Sequence, residues 1–163
     1  GGNQIYAGSG DDELIVGTDD RAFGGIGNDI LNATLSQGGN RLYGGADNDI
    51  FLNGNEDRLV GGAGSDLFFL GEESGANIVT GGAGADQFWI ANAGFPSAAN
   101  TITDFTFEDE DVLGVAGIGA TDIADLQITP DGDNTILAFD SNELAVLTGV
   151  NSNALTNSDF VFL

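Results

Sequence analysis

Gly61-Gly62-Ala63-Gly64-Ser65-Asp66-Leu67-Phe68 decides how this chain is read, because four relatives of it recur at regular spacing. They are Ala7-Gly8-Ser9-Gly10-Asp11-Asp12, Gly24-Gly25-Ile26-Gly27-Asn28-Asp29, Gly44-Gly45-Ala46-Asp47-Asn48-Asp49 and Gly81-Gly82-Ala83-Gly84-Ala85-Asp86. Each loop is followed two residues later by a large apolar residue: Leu14, Leu31, Phe51, Phe68 or Phe88. The loops start at 7, 24, 44, 61 and 81. Ahead of each lies a half-repeat of Asn or Asp, any residue, an apolar residue and any residue. Its copies begin at Asn3, Asp20, Asn40, Asp57 and Asn77, and a sixth at Asn100 has no glycine loop behind it. From each Asn or Asp to the next loop Asp the step is always nine residues, whereas the return step runs 8, 11, 8, 11 and 14. One edge of every turn is therefore constant in length, as a stacked site demands, and the other varies, as solvent-facing loops can.

This spacing gives two short strands per turn, since side chains alternate faces along a strand. The expected fold is all-β: a right-handed parallel β-roll over residues 1–103, then a small, mainly antiparallel β C-terminal cap over 104–163. Leu14, Leu31, Phe51, Phe68 and Phe88 should stack inward from one sheet, and Ile5, Ala22, Leu42, Leu59, Val79 and Ile102 from the other. At roughly 4.8 Å per turn, five turns make a column about 24 Å long. One turn buries almost nothing, so stability must come from stacking.

The loops suit a hard cation. Calcium takes six to eight oxygens from carboxylates and carbonyls. Glycine at loop positions one, two and four is expected to adopt positive φ and aim carbonyls at one point, while position six supplies a carboxylate. The candidate carboxylates are Asp12, Asp29, Asp49, Asp66 and Asp86. The candidate backbone donors are Gly8, Gly10, Gly25, Gly27, Gly45, Asp47, Gly62, Gly64, Gly82 and Gly84. Without cations the carboxylate column sets like charges about 5 Å apart, costing a few kcal/mol per neighbour at intermediate dielectric. Two loops depart from the pattern. Asp47 replaces the fourth-position glycine, a place Asp tolerates better than most residues, and Ala7 replaces the first glycine of the first loop.

Composition supports the same chemistry. The 163 residues carry 26 acids against three bases, no histidine and no cysteine, for a net charge of −23. Such a chain repels itself unless cations bind. Nucleic acid and anionic membranes are poor partners. Thiolate sites have no ligands here and the absence of histidine disfavours zinc, and no apolar run is long enough for a transmembrane segment. The 27 glycines are periodic, which argues against disorder. Gly1-Gly2-Asn3-Gln4 is no signal peptide. The chain opens inside a repeat, which points to a piece of something longer.

Other segments are less regular. The opposite edge, at 17–20, 37–40, 53–57 and 71–77, does not keep the glycine pattern. It reads either as a ladder of Asn and Asp hydrogen-bonding along the stack or as degenerate calcium sites. Past Thr103, Asp104-Phe105 stands where a glycine pair is due. An acidic run, Glu108-Asp109-Glu110-Asp111, offers a further candidate calcium site. Strands are expected over 112–115, 126–129, 135–139, 144–148 and 159–163. Hairpin turns are expected at Pro130-Asp131-Gly132-Asp133 and Asp140-Ser141-Asn142-Glu143, and short helical turns at 121–126 and 151–158. This cap should cover the exposed strand edges of the coil's end.

On its five nonapeptide loops the chain resembles the RTX, or hemolysin-type calcium-binding, family. The cap, with Ile102-Thr103-Asp104-Phe105 and Asp159-Phe160-Val161-Phe162-Leu163, is similar to the C-terminal region of serralysin-like secreted proteins. The resemblance implies calcium ions between successive loops, about four on this edge. It also implies type I secretion on an uncleaved C-terminal signal, folding outside the cell on calcium binding, and a secreted or cell-surface location.

The outward positions are unusually apolar for such repeats. Ile30, Ile50 and Leu67, and Ile15, Leu52, Phe69 and Trp89, flank one inward column; Tyr6, Phe23, Tyr43 and Val60 flank the other. All three bases, Arg21, Arg41 and Arg58, hold one repeat position. Continuous apolar stripes mark interfaces, so a homo-oligomer or neighbouring domains are expected on these faces. The alternative is that the long crossings fold over one of them. The favoured function is a structural, calcium-folded secretion module. A self-assembling element of a surface layer, fibre or adhesin comes next. An accessory module of a secreted enzyme comes last, because the acids are accounted for by the loops and no catalytic constellation stands out.

Overall fold

The computed structural model describes residues 1–71 and 74–163. Glu72 and Glu73, within the expected variable-edge segment 71–77, lie outside the described residues. The repeat becomes alternating long and short strands: β1 (Gln4–Ser9), β2 (Glu13–Ile15), β3 (Arg21–Ile26), β4 (Ile30–Asn32), β5 (Arg41–Ala46), β6 (Ile50–Leu52), β7 (Arg58–Ala63), β8 (Leu67–Phe69), β9 (Ile78–Ala83) and β10 (Gln87–Asn92). The chain goes on with β11 (Asn100–Ile102), β12 (Val112–Ala116), β13 (Gln127–Asp131), β14 (Asn134–Phe139), β15 (Asn142–Leu147) and β16 (Phe160–Phe162). Odd strands of the repeat form one sheet and even strands the other, each strand parallel to its counterpart one turn away. This is the parallel β-roll expected from the spacing.

Register is in phase at every step: Ala22 pairs with Leu42, Leu42 with Leu59 and Leu59 with Val79. Both inward columns are consequently dry. Leu31, Phe51, Phe68 and Phe88 are fully buried, as are Ala22, Leu42, Leu59, Val79 and Ile102. Ile5, in the end turn, is half-buried with one neighbour turn only. Phe51, Phe68 and Phe88 stack with ring centroids 4.6 and 5.2 Å apart. Isolated aromatic pairs prefer offset or edge-on contact, but strict in-phase repetition forces identical residues into a face-to-face ladder. Phe105 ends it, tilted 53° over Phe88, and Phe107 meets Phe105 edge-on.

The cap shares both sheets with the roll. β12 pairs parallel with β10, and β16 with β12. In the other sheet β15 lies parallel to β11, and β13–β14–β15 form the antiparallel meander expected from the sequence. Its two turns sit where expected: Gly132 has φ +63°, and Asp140 and Ser141 are both left-handed, as a two-residue hairpin of this twist requires. The helical turns are single 3-10 turns at Ile123–Asp125, Ser152–Ala154 and Asn157–Asp159. Asp122 caps the first by accepting from the Ala124 amide at 2.8 Å.

The outward columns are stacked rather than covered. Tyr6, Phe23 and Tyr43 lie ring on ring at 4.8 and 4.9 Å, and Phe69 stacks on Trp89 at 6.5 Å. Most of these side chains are half-buried by their own neighbours in the column, while Tyr6 and Ile15 at the end stay exposed. Arg21, Arg41 and Arg58 are in register and exposed.

Removing a central ring should open a cavity that neighbouring turns cannot close. Phe68→Ala is expected to cost about 3–5 kcal/mol, read by urea unfolding at saturating calcium.

Candidate metal centre

The five loops lie one above another and their position-six carboxylates form a ladder. The backbone N–H of Asp12 donates to Asp29 Oδ1 at 2.9 Å, that of Asp29 to Asp49 Oδ1 at 2.8 Å, and that of Asp49 to Asp66 Oδ1 at 2.8 Å. Asp66 donates to Asp86 Oδ1 at 2.8 Å, and Asp86 to Asp111 Oδ1 at 3.0 Å. Asp29, Asp49, Asp66 and Asp86 are no more than 1% exposed, while Asp12 in the end turn is half-buried. One oxygen of each buried carboxylate is thus satisfied. The other is not: Oδ2 of Asp29, Asp49, Asp66 and Asp86 is buried with no hydrogen-bond partner. A buried unpaired carboxylate oxygen is costly, and four in one column need a common explanation.

The glycines clear space for those oxygens. A Cβ on Gly24, Gly44, Gly61 or Gly81 would run into Oδ2 of the aspartate in its own loop. On Gly24, Gly44 and Gly61 it would also come within 2.7, 2.8 and 2.5 Å of the main-chain oxygen of Gly44, Gly61 and Gly81, one turn on. Position one is therefore glycine for room, and its φ is not positive, contrary to the expectation from sequence. Positive φ is confined to positions two and four. There Asp47, at φ +74°, adopts the conformation that glycine holds in the other loops. At position two the turns approach so closely that a Cβ on Gly25, Gly45, Gly62 or Gly82 would strike the carbonyl oxygen of Gly8, Gly25, Gly45 or Gly62. The position-four oxygens of Gly10, Asp47 and Gly64 likewise abut Gly27, Gly64 and Gly84.

The residues present fit a calcium ion. Each interval from the second loop to the fifth offers an unpartnered carboxylate oxygen, a nearby glycine carbonyl and a gap without Cβ atoms. Among the described residues no three acidic side chains gather into an all-carboxylate cage, and a carbonyl-rich donor set is one calcium accepts. Burial pushes Asp49 up to about 7, Asp66 to about 6 and Asp86 to about 7, against the amide hydrogen bonds that pull them down.

The variable edge carries a ladder too, but a closed one. Asp20, Asn40, Asp57, Asn77 and Asn100 each accept from the backbone N–H one turn below, at 2.7–3.1 Å. Oδ2 of Asp20 and of Asp57 accepts from Gly17 and Gly54 as well. No ladder oxygen on this edge is among the buried unpartnered atoms of the described residues. Hydrogen bonding thus accounts for the ladder side chains of this edge among the described residues, while Asn53 Oδ1, outside the ladder, is buried without a partner.

The position-one glycine carbonyls share the orphaned oxygens' pocket. Two features escaped the sequence reading. Asp111 continues the carboxylate ladder, hidden because it lies eleven residues after Asn100 instead of nine. A third ladder runs along position five, where Asn28 donates to Asp11, Asn48 to Asn28 and Ser65 to Asn48.

A family model described as the RTX calcium-binding nonapeptide repeat (4 copies) matches residues 1–20, 16–36, 33–57, 53–72 and 73–89, more than half of the chain. The chain belongs to the RTX calcium-binding repeat family. Calcium is the ion of these repeats. No curated protein matches the chain. Among solved structures it is similar to the AlgE6R3 subunit of the mannuronan C5-epimerase from Azotobacter vinelandii, with 23% identity, 94% of this chain and 78% of that one covered, and a TM-score of 0.44. It also resembles the extracellular lipase LipA from Serratia marcescens, with 16% identity over all of this chain and a TM-score of 0.44. This RTX chain spans 40% of that lipase's length.

The geometry of the RTX loops sets two expected outcomes. Gly61→Ala puts a methyl group against Asp66 Oδ2 and the Gly81 carbonyl. It should remove one calcium from the titration stoichiometry, whereas Ala63→Ser, on the exposed side of the same loop, should leave the count unchanged. The pH response should invert with calcium. Raised carboxyl pKa values mean that the ion-free native state holds more protons than the unfolded chain between the ordinary value of 3.8 and about 7. Ion-free stability is then present at low pH and lost as pH rises through that window. In EDTA the melting temperature should be higher at pH 5 than at pH 8. In calcium it should be higher at pH 8, because protons compete for the same oxygens.

Proposed function

We propose that this chain is a calcium-folded RTX module of a protein exported by a type I system, with residues 1–103 as the ion-binding roll and 104–163 as its cap. The observation that carries the reading is the column of four buried carboxylate oxygens without partners. In a chain of net charge −23, such a column disfavours the compact state wherever divalent ions are scarce. Bound calcium supplies positive charge and open coordination positions to those oxygens. Asp12, Asp29, Asp49, Asp66 and Asp86 hold about four ions between loops, with backbone oxygens of the position-two and position-four residues and of the position-one glycines completing the donor sets. The cap closes the end of the stack. The module's work is structural: an extended, soluble chain during export becomes a rigid coil outside the cell.

Circular dichroism with and without EDTA tests this. At pH 8 the β signal should be strongly reduced in EDTA and recover cooperatively as calcium is added. A spectrum and melting temperature indifferent to chelation would overturn the reading.

A second role rests on the outer faces. Ile30, Ile50, Leu67, Leu52, Phe69 and Trp89 on one face, and the in-register row Arg21, Arg41 and Arg58 on the other, suit contact with neighbouring domains or another copy. If self-assembly is part of the function, sedimentation should show larger species in calcium than in EDTA. A calcium-loaded monomer at high concentration would leave only the structural role.

A further inference from the structure

One side chain inside the roll is out of character. The residues that follow the outward row of the even strands, Val16, Ala33, Leu70 and Ile90, are buried and apolar. Asn53 holds the same place in its own turn, since Leu52 pairs with Asn32 and with Phe69, and Asn53, Ala33 and Leu70 come next. It is 6% exposed. Its Oδ1 is buried without a hydrogen-bond partner among the described residues, and its Nδ2 makes a long bond of 3.3 Å to the Gly54 carbonyl.

The next residue is glycine, and Asn53-Gly54 is the only Asn-Gly pair in the chain. The main-chain nitrogen after an asparagine can attack its carboxamide. Glycine obstructs that attack least, having no side chain and the widest backbone freedom. The Gly54 nitrogen bonds to Asn53 Cγ, the Cγ–Nδ2 bond breaks, and the Gly54 amide proton ends on the departing ammonia. Water then opens the cyclic imide, giving aspartate when one carbonyl is attacked and isoaspartate when the other is. No oxidant or reductant takes part.

The folded coil obstructs this reaction. Gly54 N–H donates to Asp57 Oδ2 at 3.1 Å, which holds the proton on the nucleophile. Gly54 is itself buried, and even a Cβ there would lie 2.9 Å from the Ala33 main-chain oxygen and 3.1 Å from Ser36 Oγ. Neighbouring groups thus crowd the atoms that would have to move. Nor does the product fit the coil. Aspartate at this position puts a charge where a neutral amide oxygen is already unpaired, in the same turn as the buried Asp57. Isoaspartate adds a carbon to the main chain and breaks the in-phase register of the turns.

We propose that Asn53-Gly54 is a self-modification site gated by folding: the open chain deamidates there, the calcium-folded coil does not, and a deamidated chain folds poorly. This rests on the reading of the chain as a calcium-folded module and adds a time limit to it. A chain kept waiting without the ion loses its ability to fold.

The test holds the chain at pH 8 in EDTA or in calcium, then maps its peptides by mass spectrometry and records circular dichroism on the same samples. Conversion at residue 53 should run at least about tenfold faster in EDTA, because only the opened segment reacts. The β signal recovered on adding calcium should fall in step with the converted fraction. Converted chains, separated from unconverted ones by ion exchange, should recover less of it. Asn53→Leu, apolar like Leu70 at the same level, should keep its recovery through the same hold; should that variant fail to fold, the separated parent chains decide. Equal conversion in folded and unfolded samples, no conversion in EDTA, or full recovery by converted chains would overturn the proposal. Identical spectra in EDTA and calcium would instead overturn the calcium-folding reading, and the gate with it.

Discussion

The division of labour within each loop carboxylate is the constraint on which the rest of the molecule depends. Oδ1 takes the amide of the aspartate one turn below, which fixes the vertical register; Oδ2 is left buried and unpaired. The first half favours stacking and the second opposes it until positive charge arrives. On the proposed reading, ion binding and folding are coupled in this roll, because the buried unpaired oxygen is the one that would ligate the ion. A ligand that binds only the native state stabilises it by mass action.

The two edges of the coil show how little separates a metal site from a hydrogen-bond ladder. On the variable edge the step between turns and the amide-to-side-chain bond are the same. There Asn alternates with Asp, and Gly17 and Gly54 donate to the second carboxylate oxygens of Asp20 and Asp57. On the loop edge no amide reaches Oδ2. The glycine at position one holds the space open and the next glycine's carbonyl stands beside it. Side-chain chemistry at one position, plus the presence or absence of a second donor, separates a closed structural ladder from an open coordination column.

The cap solves a related problem by different means. Where the glycine pair is missing, a side chain replaces main chain: the Asp104 carboxylate satisfies the Gly81 and Gly82 amides that a further strand would have taken. Phe105 closes the phenylalanine ladder, and β12 and β16 carry the second sheet onward in parallel. The antiparallel meander then leaves the other sheet with an ordinary hairpin edge.

The period of glycine and aspartate, with an apolar residue two places after each loop, was enough to read the coil, its two inward columns, the stacked carboxylates and the ion they suit. A strict repeat makes every turn's environment a copy of its neighbour's, so local sequence carries the tertiary contact. The cap's strands and turns were legible for the ordinary reasons of alternation and turn chemistry. Three things were decided only by the packed structure. Position-one glycine serves space rather than left-handed backbone, which depends on where Asp Oδ2 points. The variable edge closes on itself, which depends on the amides of Gly17 and Gly54. Asp111 extends the carboxylate ladder, although two extra residues in the turn hide it from any count of spacing. Each is a contact between turns, and where periodicity breaks, one-dimensional spacing no longer reports which atoms face one another.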